Sequence, residues 1–258
     1  MRSRRIAGAL LSGALVLIPA RGWCQGTSCA NASFVPADGR INGAVSITGG
    51  VSGSTYYFQV PTTIGNSYSF EAVDAVDPLG ASAGSLSLAL FSDTGCTTPL
   101  TATNTRGTAP GVGLFNARVS WTATTATTLV SLSVPANTTL SSVTWTANDT
   151  TQYSTSWTTN PGYDTYYSLK NTTGSTITGT LTLFNTSGTQ VSQTVLTINP
   201  GATGATNTVA LGTPRSSQGT AMFIHNGPPG AVLPESVIAN FTQPYVQPTK
   251  FQGPREIR

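Results

Sequence analysis

Histidine and charged side chains are scarce in this chain of 258 residues. The only histidine is His225, and charged residues make up 8% of the chain. Hydrolytic triads, many metal sites and much acid–base catalysis draw on histidine. A triad would need His225 beside a serine and a carboxylate such as Asp164 or Glu235, and no sequence context brings them together. We therefore expect no enzymatic activity, no catalytic residue and no cofactor.

Long apolar runs are also lacking, apart from one near the start. Residues 1–5 read MRSRR, and the apolar run at 6–20 ends at Arg21. This run is shorter than the roughly 20 residues that a membrane-spanning helix needs, and it follows a basic segment, which is typical of a secretory signal peptide. We assign residues 1–24 to a cleaved Sec-type signal, with the mature start between Arg21 and Gln25. The chain is then secreted or held at the cell surface, without a transmembrane segment.

Removal of the signal also changes the charge balance. The chain has 12 basic and 9 acidic residues, and Arg2, Arg4, Arg5 and Arg21 lie in or beside the signal. A mature chain without these four has 12 − 4 = 8 basic residues against 9 acidic ones, a net charge of about −1. This balance excludes nucleic acid binding through a basic patch.

Cysteine is rare as well, with residues only at Cys24, Cys29 and Cys96. An exported chain meets oxidants that pair thiols. If cleavage removes Cys24, one pair remains, and we predict a disulfide between Cys29 and Cys96. The alternative is two unpaired thiols. No Cys-x-x-Cys spacing indicates a metal site.

Alternation of apolar and polar residues, the pattern of half-buried strands, dominates the rest of the chain. In residues 85–91, for example, Leu86, Leu88 and Leu90 share one face. With 27 glycines and 16 prolines between such runs, we predict an all-β fold of two tandem β-sandwich domains, jelly-roll or Ig-like. The predicted strands are 55–60, 68–73, 85–91, 117–123, 128–134, 143–145, 166–169, 180–184, 193–198, 208–211, 220–224 and 236–241.

Length and polarity suggest where the domains divide. The polar stretch 146–151 is the best linker, so we assign one sandwich to residues 25–147 and a second to 148–245, followed by a C-terminal tail at 246–258.

Two groups of polar residues deserve a functional interpretation. Glu71, Asp74 and Asp77 have a spacing that suits a calcium ion, although solvated acids at the end of a strand are the simpler interpretation. His225 ends a strand and enters the sequence Asn-Gly-Pro-Pro-Gly, so we expect its imidazole to fix a turn by hydrogen bonding. Gly227 and Gly230 would supply positive φ angles there.

Aromatic residues offer a candidate binding surface. In each of the pairs at 56–57 and 166–167, strand alternation turns one ring inward and the other outward. Tyr57, Trp157 and Tyr167 are therefore the candidates for a surface that stacks on sugar rings.

The first half resembles the bacterial pre-peptidase C-terminal domain, a jelly-roll-like sandwich found beside secreted proteases and in other exported proteins. The resemblance covers most of residues 38–134 and rests on STYYFQV (54–60), IGNSYSFEAV (64–73), SLALFSDTG (87–95), ARVSWTA (117–123) and TTLVSLSV (127–134). Two features depart from the family: no protease domain is attached, and Thr55 replaces the aspartate that often precedes the first aromatic pair.

The second half is similar to an uncharacterised Ig-like module of exported bacterial proteins. The matching segments are DTYYSLKNTTG (164–174), HNGPPGA (225–231), IANF (238–241) and YVQPTKF (245–251). This resemblance implies an exported sandwich and assigns no activity. The leading interpretation is therefore a non-catalytic structural or interaction module. The alternatives are a carbohydrate-binding or adhesin-like module and, more remotely, a secreted hydrolase, with cell-surface polysaccharide or protein as partner.

Overall fold

The fold was analysed in a computed structural model that describes residues 26–39, 42–45, 54–74, 86–100, 103–106, 117–134 and 143–254. Within these ranges the chain consists of strands and turns, with one short 3-10 helix at Cys29–Asn31. The predicted all-β sandwich fold is confirmed. No helix in these ranges is long and apolar enough to cross a membrane.

The first half builds two facing sheets around one core. Its strands are β1 (Ser33–Phe34), β2 (Asn42–Val45), β3 (Thr55–Pro61), β4 (Ser67–Asp74), β5 (Ser87–Phe91), β6 (Thr103–Arg106), β7 (Ala117–Thr122), β8 (Thr127–Ser133) and β9 (Val143–Asp149). One sheet has the order β1-β3-β8-β5 and the other β2-β9-β4-β7-β6. Apolar side chains from both sheets form a single buried cluster, in which Phe58 contacts Phe70 and Trp145 at ring centroid distances of 5.4 and 4.7 Å.

A disulfide joins the start of this half to a hairpin, as predicted. Cys29 and Cys96 are bonded across 67 residues of sequence. Cys96 has a φ of 53°, in the left-handed region. Its turn is held by the carboxylate of Asp93, which accepts hydrogen bonds from the backbone N–H groups of Gly95, Thr97 and Thr98. These bonds, led by the one from Thr97, lower the pKa of Asp93 to about 2.

The predicted linker at 146–151 is mostly strand. Residues up to Asp149 continue β9 beside β4, because Val143, Trp145 and Ala147 keep the buried alternation that the intervening polar residues obscure. The two residues that follow, Thr150 and Thr151, are themselves buried.

Hydrogen bonds fix this junction to the start of β4. The Thr151 hydroxyl accepts a hydrogen bond from the N–H of Ser67 at 2.9 Å, and Asn66 Nδ2 donates to Asp149 Oδ2 at 2.9 Å. From the other side, the Tyr153 hydroxyl donates to Asn66 Oδ1 at 2.8 Å. The two halves therefore meet through a hydrogen-bonded contact and not through a free linker.

The second half has one long sheet folded on itself. Its strands are β10 (Gln152–Thr158), β11 (Tyr163–Asn171), β12 (Ile177–Asn185), β13 (Gln190–Ile198), β14 (Thr203–Asn207), β15 (Gln218–His225), β16 (Val232–Asn240) and β17 (Tyr245–Gln252). The strand order is β13-β12-β15-β10-β17-β16-β11-β14. Its two ends enclose a second apolar cluster, which includes Trp157, Tyr167, Leu181 and Phe223.

Strand β17 joins the two faces of this sandwich. Residues 245–250 pair with β16, whereas Phe251 and Gln252 pair with β10. Residues 246–258 are therefore not simply a tail, because most of the described part of this segment is a sheet strand. The error arose because Pro248 and Lys250 are unusual residues for a strand. Both are exposed in β17, where a proline and a charged residue can be accommodated.

One predicted strand is wrong. Residues 208–211 form a turn, and the strand before it is Thr203–Asn207. Thr208 is buried in this turn, and its hydroxyl donates a hydrogen bond to Asp164 Oδ1 at 3.0 Å. Its burial therefore comes with a polar contact and not with a position in a strand.

Candidate functional site

Two of the three aromatic residues predicted at the surface lie in the core. Trp157 and Tyr167 are each only 1% exposed. Tyr167 packs edge-on against Phe251 at 6.2 Å, and its neighbour Tyr166 is the ring that faces outward, at 39% exposure. The alternation was therefore right and the choice between the two tyrosines was wrong. Tyr57 points outward as predicted and is half-buried.

Trp157 is buried because its indole packs in the core and hydrogen-bonds to the backbone of two strands. Nε1 donates to the backbone carbonyls of Phe184 and Thr220, both at 3.0 Å. These carbonyls belong to β12 and β15, which neighbour each other in the sheet. A tryptophan in this position is a structural residue, which corrects the expectation that it stacks on a ligand.

The acidic cluster proposed for calcium is only partly within the described residues. Glu71 lies opposite Arg118 on β7, with Oε1 4.0 Å from Nη1. Burial raises the pKa of Glu71, and the nearby guanidinium opposes this shift. The Asp74 side chain and the whole of Asp77 lie outside the described residues. Among the residues that the structure does describe, no group of histidine, cysteine and carboxylate side chains could hold a metal ion.

His225 fixes a turn, as predicted. It is 4% exposed, and Nδ1 accepts the N–H of Gly227 at 3.1 Å. Nδ1 therefore carries no proton, and Nε2 holds it while buried and without a hydrogen-bond partner. Desolvation by burial lowers the pKa of His225 to about 4, against a weaker opposite effect of the Gly227 bond. The imidazole is thus neutral at pH 7.

The two turn glycines are required for different reasons. Gly230 has a φ of 72°, as predicted, whereas Gly227 does not have a positive φ. At Gly227 space is limiting, since a Cβ would lie 2.6 Å from both Ala231 Cβ and Ile177 Cδ1. Glycine is therefore required at 227 by close packing, which the sequence did not reveal, and not by the positive φ that was expected.

A cleft opens in the second half where its sheet divides. Strand β10 pairs with β15 up to Ser154, loses register, and resumes pairing at Trp157. On its other side, β10 pairs with β17 only at Tyr153 and Ser154, after which β17 turns to β16. The strand edges separate beyond Ser154 and leave a cleft of about 840 Å³, a size within the range of about 300–1,000 Å³ that ligand sites occupy.

None of the residues that line this cleft is charged. They come from β10, β15, the β12–β13 turn and the ends of β11, β16 and β17. The lining consists of Thr155, Ser156, Trp157, Thr158, Asn160, Tyr163, Asn185, Thr186, Gly188, Gln218, Gly219, Thr220, Ile238 and Gln247. Hydroxyl and amide groups predominate, and two aromatic residues, Trp157 and Tyr163, also belong to the lining.

Tyr163 is held in place by a polar network of Arg215 and Asp164, in which Asp164 is buried and the Arg215 side chain is about half exposed. The Arg215 guanidinium contacts the carboxylate of Asp164, and Arg215 Nη2 donates to the Tyr163 carbonyl at 3.1 Å. Asp164 is 7% exposed and also accepts the Thr208 hydroxyl. The Tyr163 ring also packs edge-on against the ring of Tyr245, at a centroid distance of 6.1 Å. The backbone and the ring of Tyr163 are therefore both positioned.

Several polar groups in the cleft have unused hydrogen-bonding capacity. Within the described part of the chain, no hydrogen bond engages the side-chain amides of Asn160 and Gln218. Asn185 uses only its oxygen, which accepts from Ser187 and Thr189, and Gln247 uses only its oxygen, which accepts the Tyr245 hydroxyl at 2.8 Å. The amide nitrogens of Asn185 and Gln247 remain available as donors.

A second groove is smaller and differs in chemistry. It has a volume of about 450 Å³, lies along β11, β14 and β16, and includes Glu235 beside Tyr166. Tyr166 packs edge-on against the exposed Phe241 at 6.2 Å. This outer face provides a matched aromatic site outside the cleft.

Sequence reasoning did not find the cleft. Its residues lie on five separated stretches of the chain, at 155–163, 185–188, 218–220, 238 and 247. The register shift in β10 that opens the cleft leaves no mark in the apolar alternation. The available signal was the run of uncharged hydroxyl and amide residues in STSWTTN (154–160) around Trp157. Similar runs also occur across the rest of this serine- and threonine-rich chain.

Comparisons with known proteins give little guidance. No protein-family model matches the chain, and no curated protein matches it. The similar solved structures include a glycosyl hydrolase family 2 member from Bacteroides cellulosilyticus DSM 14838 (8% identity, TM-score 0.20, 79% of this chain and 29% of that chain) and a β-glucuronidase from Parabacteroides merdae (10% identity, TM-score 0.22, 96% and 33%).

A β-glucuronidase from Bacteroides uniformis is similar at 13% identity and a TM-score of 0.20, over 78% of this chain and 26% of that one. The chain spans about a third or less of these enzymes. Scores this low do not distinguish a shared fold from a shared abundance of strands.

Proposed function

We propose that the protein is an exported, non-catalytic interaction module that binds neutral carbohydrate in the uncharged cleft of its second half. The observation that carries the proposal is the lining itself. None of its fourteen residues is charged, nine of them are serine, threonine, asparagine or glutamine, and two are aromatic, Tyr163 and Trp157.

The chemistry of the lining fits sugar hydroxyls. A sugar hydroxyl both donates and accepts, and side-chain amides offer both functions in fixed geometry. Asn160 and Gln218 have both functions unused, while Asn185 and Gln247 offer their nitrogens. Because the lining holds no charge, a neutral ligand displaces water without stranding an unpaired ion. An ionic ligand would find no counter-charge.

The aromatic side of the cleft supports the same ligand class. The Tyr163 ring offers an apolar face on which the C–H face of a sugar ring can stack, and the Asp164–Arg215 contact holds its backbone before binding. Positioning a contact in advance reduces the ordering cost of binding. Trp157 forms part of the lining but is fixed by its two hydrogen bonds and serves as support.

A binding role without catalysis agrees with the chemistry of the cleft. Glycoside hydrolysis usually requires two carboxylic acids on either side of the scissile bond, and the lining contains none. His225, the last residue of β15, is not among the lining residues and is neutral at pH 7. The resemblance of the first half to pre-peptidase C-terminal domains, which accompany secreted proteins, supports an accessory role, and the Cys29–Cys96 disulfide suits an oxidising compartment.

The test is a glycan array probed with the secreted protein, followed by titration of the best neutral oligosaccharide. We expect binding that Tyr163→Ala weakens at least about tenfold, equivalent to about 1.4 kcal/mol. Tyr166→Ala is the matched control, because it removes an exposed tyrosine from the other groove, and it should bind as the unmodified protein does.

Analysis of the oligosaccharide after prolonged incubation tests the absence of catalysis. We expect the glycan to be recovered intact. Cleavage products, or equal losses in the Tyr163→Ala and Tyr166→Ala variants, would contradict the proposal.

A further inference from the structure

Strand β13 is an unusually long free edge. It has nine residues, lies at the end of the eight-stranded sheet and, among the residues that the structure describes, pairs with β12 alone. The other outermost strands in the described sheets are much shorter: β1 has two residues, β2 and β6 have four, and β5 and β14 have five. Natural sheets usually keep their edges short, so β13 is the exception in this protein.

Charge and proline, two other protections of a sheet edge, are absent from β13. Its sequence, QVSQTVLTI, contains no charged residue and no proline. In an antiparallel pair, about half of the backbone N–H and C=O groups of an edge strand point away from its neighbour. One bulge occurs near the start, where Phe184 is opposite Gln190. The following stretch, 192–198, runs in regular register and presents these groups outward.

The strand is firmly attached to the protein on its inner side. Ile198 is 1% exposed, and Val191 and Leu196 pack against the core of the second half. On the outer side Gln193, Val195 and Thr197 face solvent, and Val195 is 62% exposed. The edge is thus a preformed template and not a frayed end.

We propose that β13 is a self-association surface, on which the β13 strands of two copies pair antiparallel about a two-fold axis. Strand addition of this kind draws its affinity from main-chain hydrogen bonds. A second copy suits the edge because a two-fold axis brings the same strand against itself, and a strand without charges opposes no like charges in that arrangement. Its valine and threonine side chains also favour cross-strand pairing.

Charge in the rest of the chain also permits self-association. With 8 basic and 9 acidic residues after removal of the signal and Arg21, two copies repel each other only weakly. A partner of another kind could be selected by charge, and β13 offers no charged side chain for that purpose.

Sedimentation velocity over a concentration series tests the proposal. We expect a monomer–dimer equilibrium that Val195→Lys shifts to monomer by at least tenfold in dissociation constant, because two lysines would meet near the two-fold axis. The control is Ile64→Lys, which places the same charge at a 66% exposed turn residue of the first half and should leave the dimer intact. A protein that is monomeric throughout, or a dimer that survives Val195→Lys, would overturn the proposal.

Hydrogen exchange on the unmodified protein gives an independent readout. Amides of residues 192–198 that point outward should become more protected as concentration rises, while those of the second outer strand, β14, should not change. Protection confined to any other segment would place the contact elsewhere and reject β13 as the surface. Neither measurement involves the cleft, so the outcome does not depend on the proposed carbohydrate site.

Discussion

The two halves of this protein enclose their apolar cores in different ways. Both bury an apolar cluster between sheets of serine- and threonine-rich strands. The first half is closed by a disulfide, and its core is packed with aromatic contacts such as Phe58–Trp145. The second half has no cysteine and keeps a cleft where its sheet divides around Trp157. The candidate binding site lies in the half that has the irregular sheet and no disulfide.

The largest effect is expected from removing the side chain that holds the divided sheet together. Trp157→Ala should destabilise the protein by about 3–5 kcal/mol or more, since it leaves a cavity and two carbonyls without their donor. Denaturant unfolding followed by circular dichroism measures this loss. A cost below about 1 kcal/mol would mean that the Trp157 side chain does not hold the divided sheet together.

The disulfide variant tests whether the halves are independently stable. Replacing both Cys29 and Cys96 by serine should lower the stability of the first half by up to about 4 kcal/mol, from the entropy of closing a loop of this length. Hydrogen exchange resolves the two halves in the same sample. Equal loss of protection in β11 and β12 would instead show that the junction at Thr150 and Thr151 couples the halves into one unit.

Acid should weaken the second half through its histidine. The pKa of His225 is about 4 in the folded protein and near 6.5 when exposed. The unfolded state therefore binds a proton first as pH falls, and the unfolding free energy decreases between about pH 6.5 and 4. The loss is about 3 kcal/mol, at about 1.4 kcal/mol per pKa unit.

His225→Gln is the matched variant for this pH dependence. It should lack the decrease while costing about 1 kcal/mol at pH 7, because glutamine replaces part of the bond to Gly227. Thermal unfolding from pH 7 to pH 4 compares the two proteins. Identical pH profiles would refute the neutral, turn-fixing role, and loss of glycan binding in a stable His225→Gln protein would make the histidine functional.

The smallest effects separate the two turn glycines. Gly227→Ala should cost about 1–3 kcal/mol because its Cβ meets Ala231 and Ile177, a case of overpacking. Gly230→Ala should cost about 1–2 kcal/mol through its positive φ alone, since nothing lies within 4 Å of the added Cβ. An Ile177→Val substitution removes the Cδ1 contact but not the Ala231 contact, so it should reduce the cost of Gly227→Ala in part and leave that of Gly230→Ala unchanged. Rescue of both variants would show that backbone strain and packing were assigned to the wrong residues.

The sequence was sufficient for the features that depend on local periodicity and turn chemistry. Alternation identified most strands, and the turn at His225 followed from its glycines and prolines. The disulfide followed from cysteine count and compartment. Polar strand ends were harder, as Thr146–Asp149 shows, because Ala147 is a weak apolar signal between asparagine and threonine.

The candidate site was beyond the reach of pattern analysis for a physical reason. Strand alternation predicts that one tyrosine of an adjacent pair is buried and the other exposed. Which of the two is buried depends on the neighbouring strands, and for this reason Tyr167 was predicted at the surface although Tyr166 is the exposed one. The cleft depends on where β17 leaves β10, a long-range pairing that no local sequence encodes. Trp157 looked like a surface residue only because its two backbone partners lie 27 and 63 residues away.

The most direct test of the carbohydrate site is a nuclear magnetic resonance titration of the isotope-labelled protein with the best neutral oligosaccharide from the array. Side-chain amides of asparagine and glutamine give resolved signals. We predict that those of Asn160, Asn185, Gln218 and Gln247 shift with a common dissociation constant, together with the backbone signal of Tyr163. Shifts confined to the first half, or to Tyr166 and Phe241 on the other groove, would contradict the assignment of the uncharged cleft as the binding site.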